Sequence, residues 1–141
     1  MTAAPDILGG VSEATVDVVR NIEAAFNRGD LEAMVSHLAP HAEWQIAENN
    51  PSARTLHGRE EILAYLADWR DTVQDLTYEA DRYIDAGDAV VQVGSITAQA
   101  SRGGPELTVP LAFITHFRDG VAVRTEEYLD PDVALKAAGV S

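Results

Sequence analysis

Glu127 interrupts the apolar face of the last strand that the sequence predicts. Alternation over residues 121–129 gives one face the residues Val121, Val123, Thr125, Glu127 and Leu129. A carboxylate among apolar neighbours is desolvated, which raises its pKa toward neutral pH, where general acids and bases work. Acids are seldom fully buried, however, and fraying of this strand near the sheet edge would bring Glu127 into water. The pattern therefore supports two interpretations, a tuned proton-transfer group or a solvated surface acid.

Other residues of the same predicted surface have side chains that suit a ligand. The preceding strand, residues 107–118, brings Thr115 to this face, where its hydroxyl could bind a ligand, although threonine is common in strands in any case. Trp44, Tyr65 and Trp69 are typical of a core and equally of a pocket for a flat apolar molecule. The predicted substrate-binding residues are Trp44, Ile46, Tyr65, Trp69, Phe113, Thr115, Thr125 and Leu129.

A metal site is not predicted. His37 and His41 have the four-residue spacing of a helical metal pair, but Pro40 lies between them and no third ligand is near in sequence. The chain has no cysteine, which excludes thiolate metal sites, disulfides and cysteine nucleophiles. No phosphate-binding loop or serine nucleophile elbow is present either. We therefore expect neither a metal nor any other cofactor.

The elements that would position these residues follow from hydrophobic periodicity and turn chemistry. We expect helices over residues 12–27, 31–39 and 58–72, strands over 42–47, 76–85, 89–100, 107–118 and 121–129, and a terminal helix over 132–138. Gly29 and Asp30 form the corner between the first two helices, and residues 49–57 are expected to be a loop. The last four strands are joined by short turns, which predicts antiparallel pairing. Residues 1–11 are expected to be a flexible N-terminus and residues 12–138 a single domain.

The composition and charge of the chain limit the classes of partner that it is expected to bind. The 141 residues suit one domain, and the formal net charge of -13 would repel phosphate backbones and anionic membrane surfaces, so no nucleic acid or membrane partner is expected. Neither a secretory signal nor a run of about 20 apolar residues is visible. We expect a cytoplasmic protein whose partner is an apolar small-molecule ligand.

Four short sequence motifs resemble those of a known family. They are Phe26-Asn27-Arg28-Gly29-Asp30-Leu31, Ala42-Glu43-Trp44, His57-Gly58-Arg59-Glu60 and Phe117-Arg118-Asp119-Gly120. With the order of elements, they resemble the SnoaL-like (polyketide cyclase-like) branch of the nuclear-transport-factor-like, or ketosteroid isomerase-like, superfamily over about residues 12–130. The resemblance implies an α+β fold, in which three helices of the N-terminal half cover a cone-shaped, curved, mixed but mostly antiparallel sheet and enclose a pocket.

Enzymes of this superfamily place their catalytic residues at known positions, and most of those positions are changed here. Aligned on the resemblance, the ketosteroid isomerase tyrosine, base and second aspartate fall on Ile22, Ile46 and Thr115, so that machinery is absent. The limonene epoxide hydrolase set falls on residues of which only Glu127 is a carboxylate; the equivalents are Ser95, Val93, Glu127, Ile46 and Trp44. Polyketide cyclases use an acid near the end of the last strand, which nominates Glu127 or, as a second choice, Asp130.

These observations lead to two functional hypotheses. The first is a cofactor-free acid/base enzyme of the cyclase or isomerase type that acts on an apolar, carbonyl-bearing metabolite. The second is a non-catalytic ligand-binding or dimerisation domain of the same fold, because fold alone does not decide function.

A homodimer is expected through the outer face of the sheet, to which we assign Gln92, Gly94, His116, Arg124, Glu126 and Tyr128.

Overall fold

The described part of the chain contains four helices and six strands. The structure, a computed structural model, describes residues 3–48, 50–51, 53–100 and 103–140, with side chains from residue 14 onward. The helices are α1 Ala3–Asn27, α2 Leu31–Ser36, α3 Gly58–Thr72 and α4 Pro131–Ala138. The strands are β1 Leu38–Gln45, β2 Thr55–His57, β3 Gln74–Asp85, β4 Ala89–Gln99, β5 Glu106–Arg118 and β6 Val121–Tyr128. No described helix combines the length and apolar character needed to cross a membrane.

One sheet contains all six strands in the order β2-β1-β6-β5-β4-β3. The β3–β4, β4–β5 and β5–β6 pairs are antiparallel, as their short connections require, whereas β1 and β6 are parallel neighbours. The parallel pair is possible because α3 and four strands separate β1 from β6 in the chain. The predicted fold class, α+β with a mixed and mostly antiparallel sheet that does not close, is confirmed.

The helices α1, α2 and α3 cover the face of the sheet that holds the main core. They contribute Val19, Phe26, Met34, Ile62 and Leu66, all buried. As predicted, Gly29 and Asp30 form the corner between the first two helices. Gly29 has a φ of 79°, which favours glycine, and the Asp30 carboxylate accepts a hydrogen bond from the Ala33 amide at 3.1 Å.

Several predicted boundaries are wrong. Helix α1 begins at Ala3 rather than at Ser12, so Ser12 lies inside it. Helix α2 ends at Ser36, and Pro40 lies in β1, where the register with β6 shifts between Leu38 and Glu43. Proline has no N–H for a ladder, and an irregular stretch of strand tolerates that loss.

Strand β2 lies in the segment that we expected to be a loop. It pairs antiparallel with β1 through Glu43 with His57, Trp44 with Leu56, and Gln45 with Thr55. The strand has only three residues, which is too short for periodicity to indicate it.

The predicted orientation of the β4 side chains is also wrong. Gln92 and Gly94 pair with Phe113 and Leu111 on β5, and opposite residues share a face, so both lie toward the helices rather than on the outer face. A side chain at Gly94 would meet the backbone of β3, because an added Cβ would be 2.1 Å from the Glu79 carbonyl oxygen. Helix α4 packs on the opposite face of this strand, so both faces of β4 are covered and its sequence does not alternate.

Candidate functional site

Glu127 lies on β6 directly opposite Phe113 of β5, on the face covered by the helices. Its side chain is 5% exposed, so the solvated interpretation of this acid does not hold. The neighbouring acid Glu126 points the other way, where it contacts Arg124 and His116. The alternation of β6 therefore separates one buried carboxylate from one that is paired with bases on the outer face.

Three donors hold the Glu127 carboxylate. The Trp44 indole Nε1 donates to Oε2 at 2.6 Å, and the Tyr65 hydroxyl donates to the same oxygen at 3.0 Å. The Ala47 amide donates to Oε1 at 3.3 Å, and the Tyr65 hydroxyl lies 3.3 Å from that oxygen as well. Oε2 thus has two short bonds, while the contacts of Oε1 are longer and leave it more capacity to accept a proton.

Burial raises the pKa of Glu127, and the hydrogen bonds from Trp44, Ala47 and Tyr65 oppose that rise without cancelling it. Burial likewise raises the pKa of Tyr65, and the adjacent Glu127 charge raises it further, so the phenol stays protonated as a donor. The site therefore combines a carboxylate that accepts a proton more readily than a free glutamate with a tyrosine that keeps its own.

Three parts of the fold place these groups. Trp44 comes from β1, where it pairs with Thr125 in the parallel register with β6. Ala47 follows the end of β1, so its free amide points toward the neighbouring strand's carboxylate. Tyr65 lies on α3 one turn before Trp69, and the two rings are 6.2 Å apart between centroids. The parallel pairing of β1 with β6 is what brings Trp44 to Glu127.

A cavity of about 890 Å³ opens beside Glu127. Its walls are apolar near the sheet and polar toward the exposed side chains of Arg54, Glu61 and Asp68. The lining residues are Ala47, Asn50, Arg54, Leu56, Glu61, Ala64, Tyr65, Asp68, Trp69, Thr72, Ile96, Val109, Leu111, Glu127 and Leu129. This volume suits a small organic molecule, and we call it the outer cavity.

A second cavity, of about 40 Å³, lies deeper among the core residues. Trp69 and Ile96 line it as well as the outer cavity. Its remaining lining residues are Val19, Ile22, Glu23, Phe26, Met34, Trp44, Leu66, Tyr78, Gln92, Phe113, Thr115 and Thr125. It has room for about one to a few water-sized groups, and we call it the inner cavity.

The site residues that the sequence predicted line different cavities. Tyr65, Trp69, Glu127 and Leu129 line the outer cavity, and Trp44, Trp69, Phe113, Thr115 and Thr125 line the inner one. Ile46 and Asp130 line neither; they border a third cavity of about 500 Å³, which Glu127 and Leu129 also touch. Asp130 is exposed and caps α4 by accepting from the Asp132 amide at 2.9 Å, a role in folding that accounts for its position.

Sequence reasoning missed two groups of the site. The Ala47 amide is a backbone donor, which no side-chain pattern could have indicated. Gln92 was placed on the wrong face, but it is a polar residue inside an apolar run, and that was the available signal.

Among the described residues, no cluster of three or more metal-ligating side chains occurs.

The sequence matches the SnoaL-like domain family over residues 18–125, which is more than half of the chain. The chain belongs to the SnoaL-like domain family. This assignment agrees with the curved mixed sheet and its three covering helices. No curated protein matches the SnoaL-like chain significantly.

Solved structures with the same fold are numerous. An NTF2-like protein from Burkholderia thailandensis is 27% identical with a TM-score of 0.73, over 87% of this chain and 95% of that chain. TerC, co-crystallised with polyporic acid, is 23% identical with a TM-score of 0.73, over 89% and 98%. A putative isomerase from Bacillus subtilis is 19% identical with a TM-score of 0.73, over 93% and 96%. At these identities the last two likenesses show the fold alone.

Proposed function

We propose that this SnoaL-like domain binds a flat, apolar, carbonyl-bearing small molecule in the outer cavity, and that Glu127 transfers a proton on it without a cofactor. The observation that carries the proposal is the Glu127 carboxylate itself. It is buried at the wall of the cavity, has no basic side chain among its hydrogen-bond donors in the described part of the chain, and keeps one oxygen with only long contacts.

The proposed reaction begins with Glu127 ionised. Oε1 takes a proton from a carbon next to the ligand carbonyl; the C–H electron pair forms a C=C bond, the carbonyl π pair moves to the carbonyl oxygen to give the enolate, and the carboxyl becomes neutral. In an isomerisation the same proton then returns to a different carbon of the conjugated enolate. In a cyclisation the enolate carbon instead attacks a second carbonyl carbon of the ligand, the new C–C bond forms, and the resulting alkoxide takes the proton. Either route restores the Glu127 carboxylate. Burial favours the neutral carboxyl, so the first transfer is easier than it would be for an exposed glutamate.

The walls of the outer cavity support the choice of ligand. Tyr65 and Trp69 provide adjacent aromatic surfaces whose rings are tilted by 33° to each other, and Leu111 and Leu129 add aliphatic surface. TerC was crystallised with polyporic acid, an aromatic carbonyl compound, which makes flat aromatic ketones a reasonable first probe class for this chain. The SnoaL-like fold often serves isomerases and cyclases, and a proton-transfer reaction is consistent with both.

A second candidate is a binding protein that does not transform its ligand. It is favoured by the completeness of the hydrogen bonding around Glu127, because three donors of the protein already point at one carboxylate. In that case Glu127 ties β6 to β1 and α3 and shapes the cavity wall without moving a proton.

Hydrogen–deuterium exchange separates the two candidates. The rate at which 2-tetralone, a flat apolar ketone, exchanges its α-protons in D₂O is followed by NMR with the wild-type protein and with Glu127→Gln. We expect the variant to lose on the order of a hundredfold in rate, the size of a general acid/base contribution.

The matched control is Glu126→Gln, the same change one residue earlier on the outer face. It should retain the wild-type exchange rate, since Glu126 does not line the cavity. Equal rates for Glu127→Gln and the wild type, with both proteins folded, would favour the non-catalytic candidate.

A further inference from the structure

Two buried threonines face each other across β5 and β6. Thr115 and Thr125 are directly opposite in the register, are 3% and 4% exposed, and both line the inner cavity. Within the described part of the chain, no hydrogen bond joins either side-chain hydroxyl to another residue. A buried hydroxyl without a partner is unfavourable, so this pair is a feature that folding alone does not explain.

Another cross-strand threonine pair in the same protein shows the usual arrangement. Thr97 and Thr108 are opposite each other on β4 and β5, and their hydroxyl oxygens are 2.9 Å apart in a hydrogen bond. That pair is exposed to water as well, so each hydroxyl has a choice of partners. The contrast marks Thr115 and Thr125 as polar groups directed at the contents of the inner cavity rather than at each other.

Gln92 adds a third polar group to the same wall. It is 6% exposed, and its Nε2 donates to Oε1 of Glu23 at 3.0 Å, an oxygen that also accepts from the Tyr83 hydroxyl at 2.8 Å. This fixes the orientation of the amide and leaves Gln92 with one N–H and its carbonyl oxygen for another partner. Gln92, Thr115 and Thr125 thus form a group of neutral polar side chains in a cavity that is otherwise lined mostly by apolar residues and by Glu23, and we call these three residues the polar wall.

The polar wall lies at a fixed spacing from Glu127. Thr125 is two residues before Glu127 on the same face of β6, which places the two side chains roughly 7 Å apart along the strand. Trp69 and Ile96 line both cavities, so they are the side chains between the two spaces. A ligand with its reacting carbon at Glu127 would reach the polar wall with a group on the far side of a fused ring.

We propose that the polar wall binds a neutral hydroxyl or carbonyl oxygen at the end of the ligand remote from Glu127. This inference rests on the proposed function, because it names the second polar group of the same ligand. An anion is disfavoured, because the carboxylate of Glu23 lies against Gln92 and no lysine or arginine is among the residues that line the inner cavity. Two threonine hydroxyls and one amide N–H suit a single oxygen acceptor, and the threonine oxygens and the Gln92 carbonyl can accept from a hydroxyl.

Two ketones that differ by one hydroxyl test the inference. The dissociation constants of 2-tetralone and 6-hydroxy-2-tetralone are measured by isothermal titration calorimetry, because the second carries a hydroxyl across the fused ring from its ketone. The wild type is expected to bind the hydroxylated ketone roughly tenfold more tightly, the effect of about one well-made hydrogen bond. The double variant Thr115→Val, Thr125→Val should lose that preference, so that its dissociation constants for the two ketones become similar.

The matched control is Thr97→Val with Thr108→Val, which removes a cross-strand threonine pair of β4 and β5 that does not line the inner cavity. It should keep the preference of the wild type. If the inner cavity holds only water, the wild type will bind both ketones equally, and the inference is then wrong. The same conclusion follows if neither ketone binds.

Two further readouts separate this inference from the proposed function. If Glu127→Gln exchanges 2-tetralone protons as fast as the wild type while the preference for the hydroxylated ketone is intact, only the proton transfer is refuted. If Glu127→Gln loses exchange as expected but the wild type shows no preference, only the polar wall is refuted. In the ligand-free protein, the Thr115→Val, Thr125→Val variant should have a Tm equal to or above that of the wild type. A lower Tm would show that the two hydroxyls have partners inside the protein and would overturn the inference.

Discussion

Removing the Tyr65 hydroxyl is expected to raise the pKa of Glu127 further. The hydroxyl donates to Glu127 Oε2 at 3.0 Å and stabilises the ionised form against the burial that raises its pKa. A hydrogen bond to a charged group contributes about 1.5–3 kcal/mol, and one pKa unit corresponds to about 1.4 kcal/mol, so Tyr65→Phe should raise the pKa by about 1 to 2 units. The ring of residue 65 stays beside Trp69, so the cavity wall keeps its shape.

The assay is the pH dependence of 2-tetralone exchange. Glu127 must be ionised to accept a proton, so the rate rises as pH passes through its pKa and then levels off. For Tyr65→Phe, the midpoint of that rise should move to higher pH by the same 1 to 2 units. A direct check that needs no substrate is NMR titration of the glutamate side-chain carboxyl carbons.

The matched control is Tyr128→Phe, which removes a hydroxyl 3.3 Å from Glu126 on the outer face. Its exchange midpoint should coincide with that of the wild type. A midpoint that does not move in Tyr65→Phe, or that moves to lower pH, would refute the view that this hydrogen bond holds the ionised form of Glu127.

Two other predictions concern folding and assembly. Gly94→Ala should lower the free energy of unfolding by on the order of 2–4 kcal/mol in urea titrations, because the added Cβ would be 2.1 Å from the Glu79 carbonyl oxygen; a Cm within error of the wild type would contradict this. The protein should sediment as a dimer at tens of micromolar, paired through the outer sheet face around Arg124 and Glu126, and a purely monomeric boundary would count against that interface.

The sequence predicted the side of the sheet on which Glu127 lies because only one face of β6 is apolar. Period-2 alternation is informative when one face is buried and the other is polar, and residues 124–128 of β6 satisfy that condition. At the start of β6 the prediction is wrong, because the pairing with β5 shifts register between His116 and Phe117, so that Ala122 is buried and Val121 is exposed. Strand β4 does not, since α4 covers its second face, and Gln92 was therefore assigned to the wrong side. Predicting from the sequence on which face of a sheet a side chain lies thus depends on knowing which other elements cover the sheet.

The hydrogen bonds that define the site could not be predicted from the sequence, for a different reason. Trp44 and Tyr65 are 83 and 62 residues from Glu127 in the chain, and their contact depends on the parallel pairing of β1 with β6 and on the packing of α3. Composition and spacing indicated that both aromatics would be buried, but a buried indole or phenol can find many acceptors. The distinction between a core aromatic and a donor to a carboxylate is therefore a property of the tertiary structure.

The proposed proton transfer and the proposed ligand selection depend on different hydrogen-bonding groups. The donors to Glu127 come from β1, from Ala47 and from α3. The polar wall lies on β4, β5 and β6, although Trp44 and Trp69 line the inner cavity as well. Tyr65→Phe should therefore change the pH dependence of exchange and leave the preference for a hydroxylated ligand. Thr115→Val should do the reverse. Because residues in separate networks contribute almost additively, the combination of Tyr65→Phe with Thr115→Val should show both effects at nearly their individual sizes, and strong coupling would mean that the two cavities act as one.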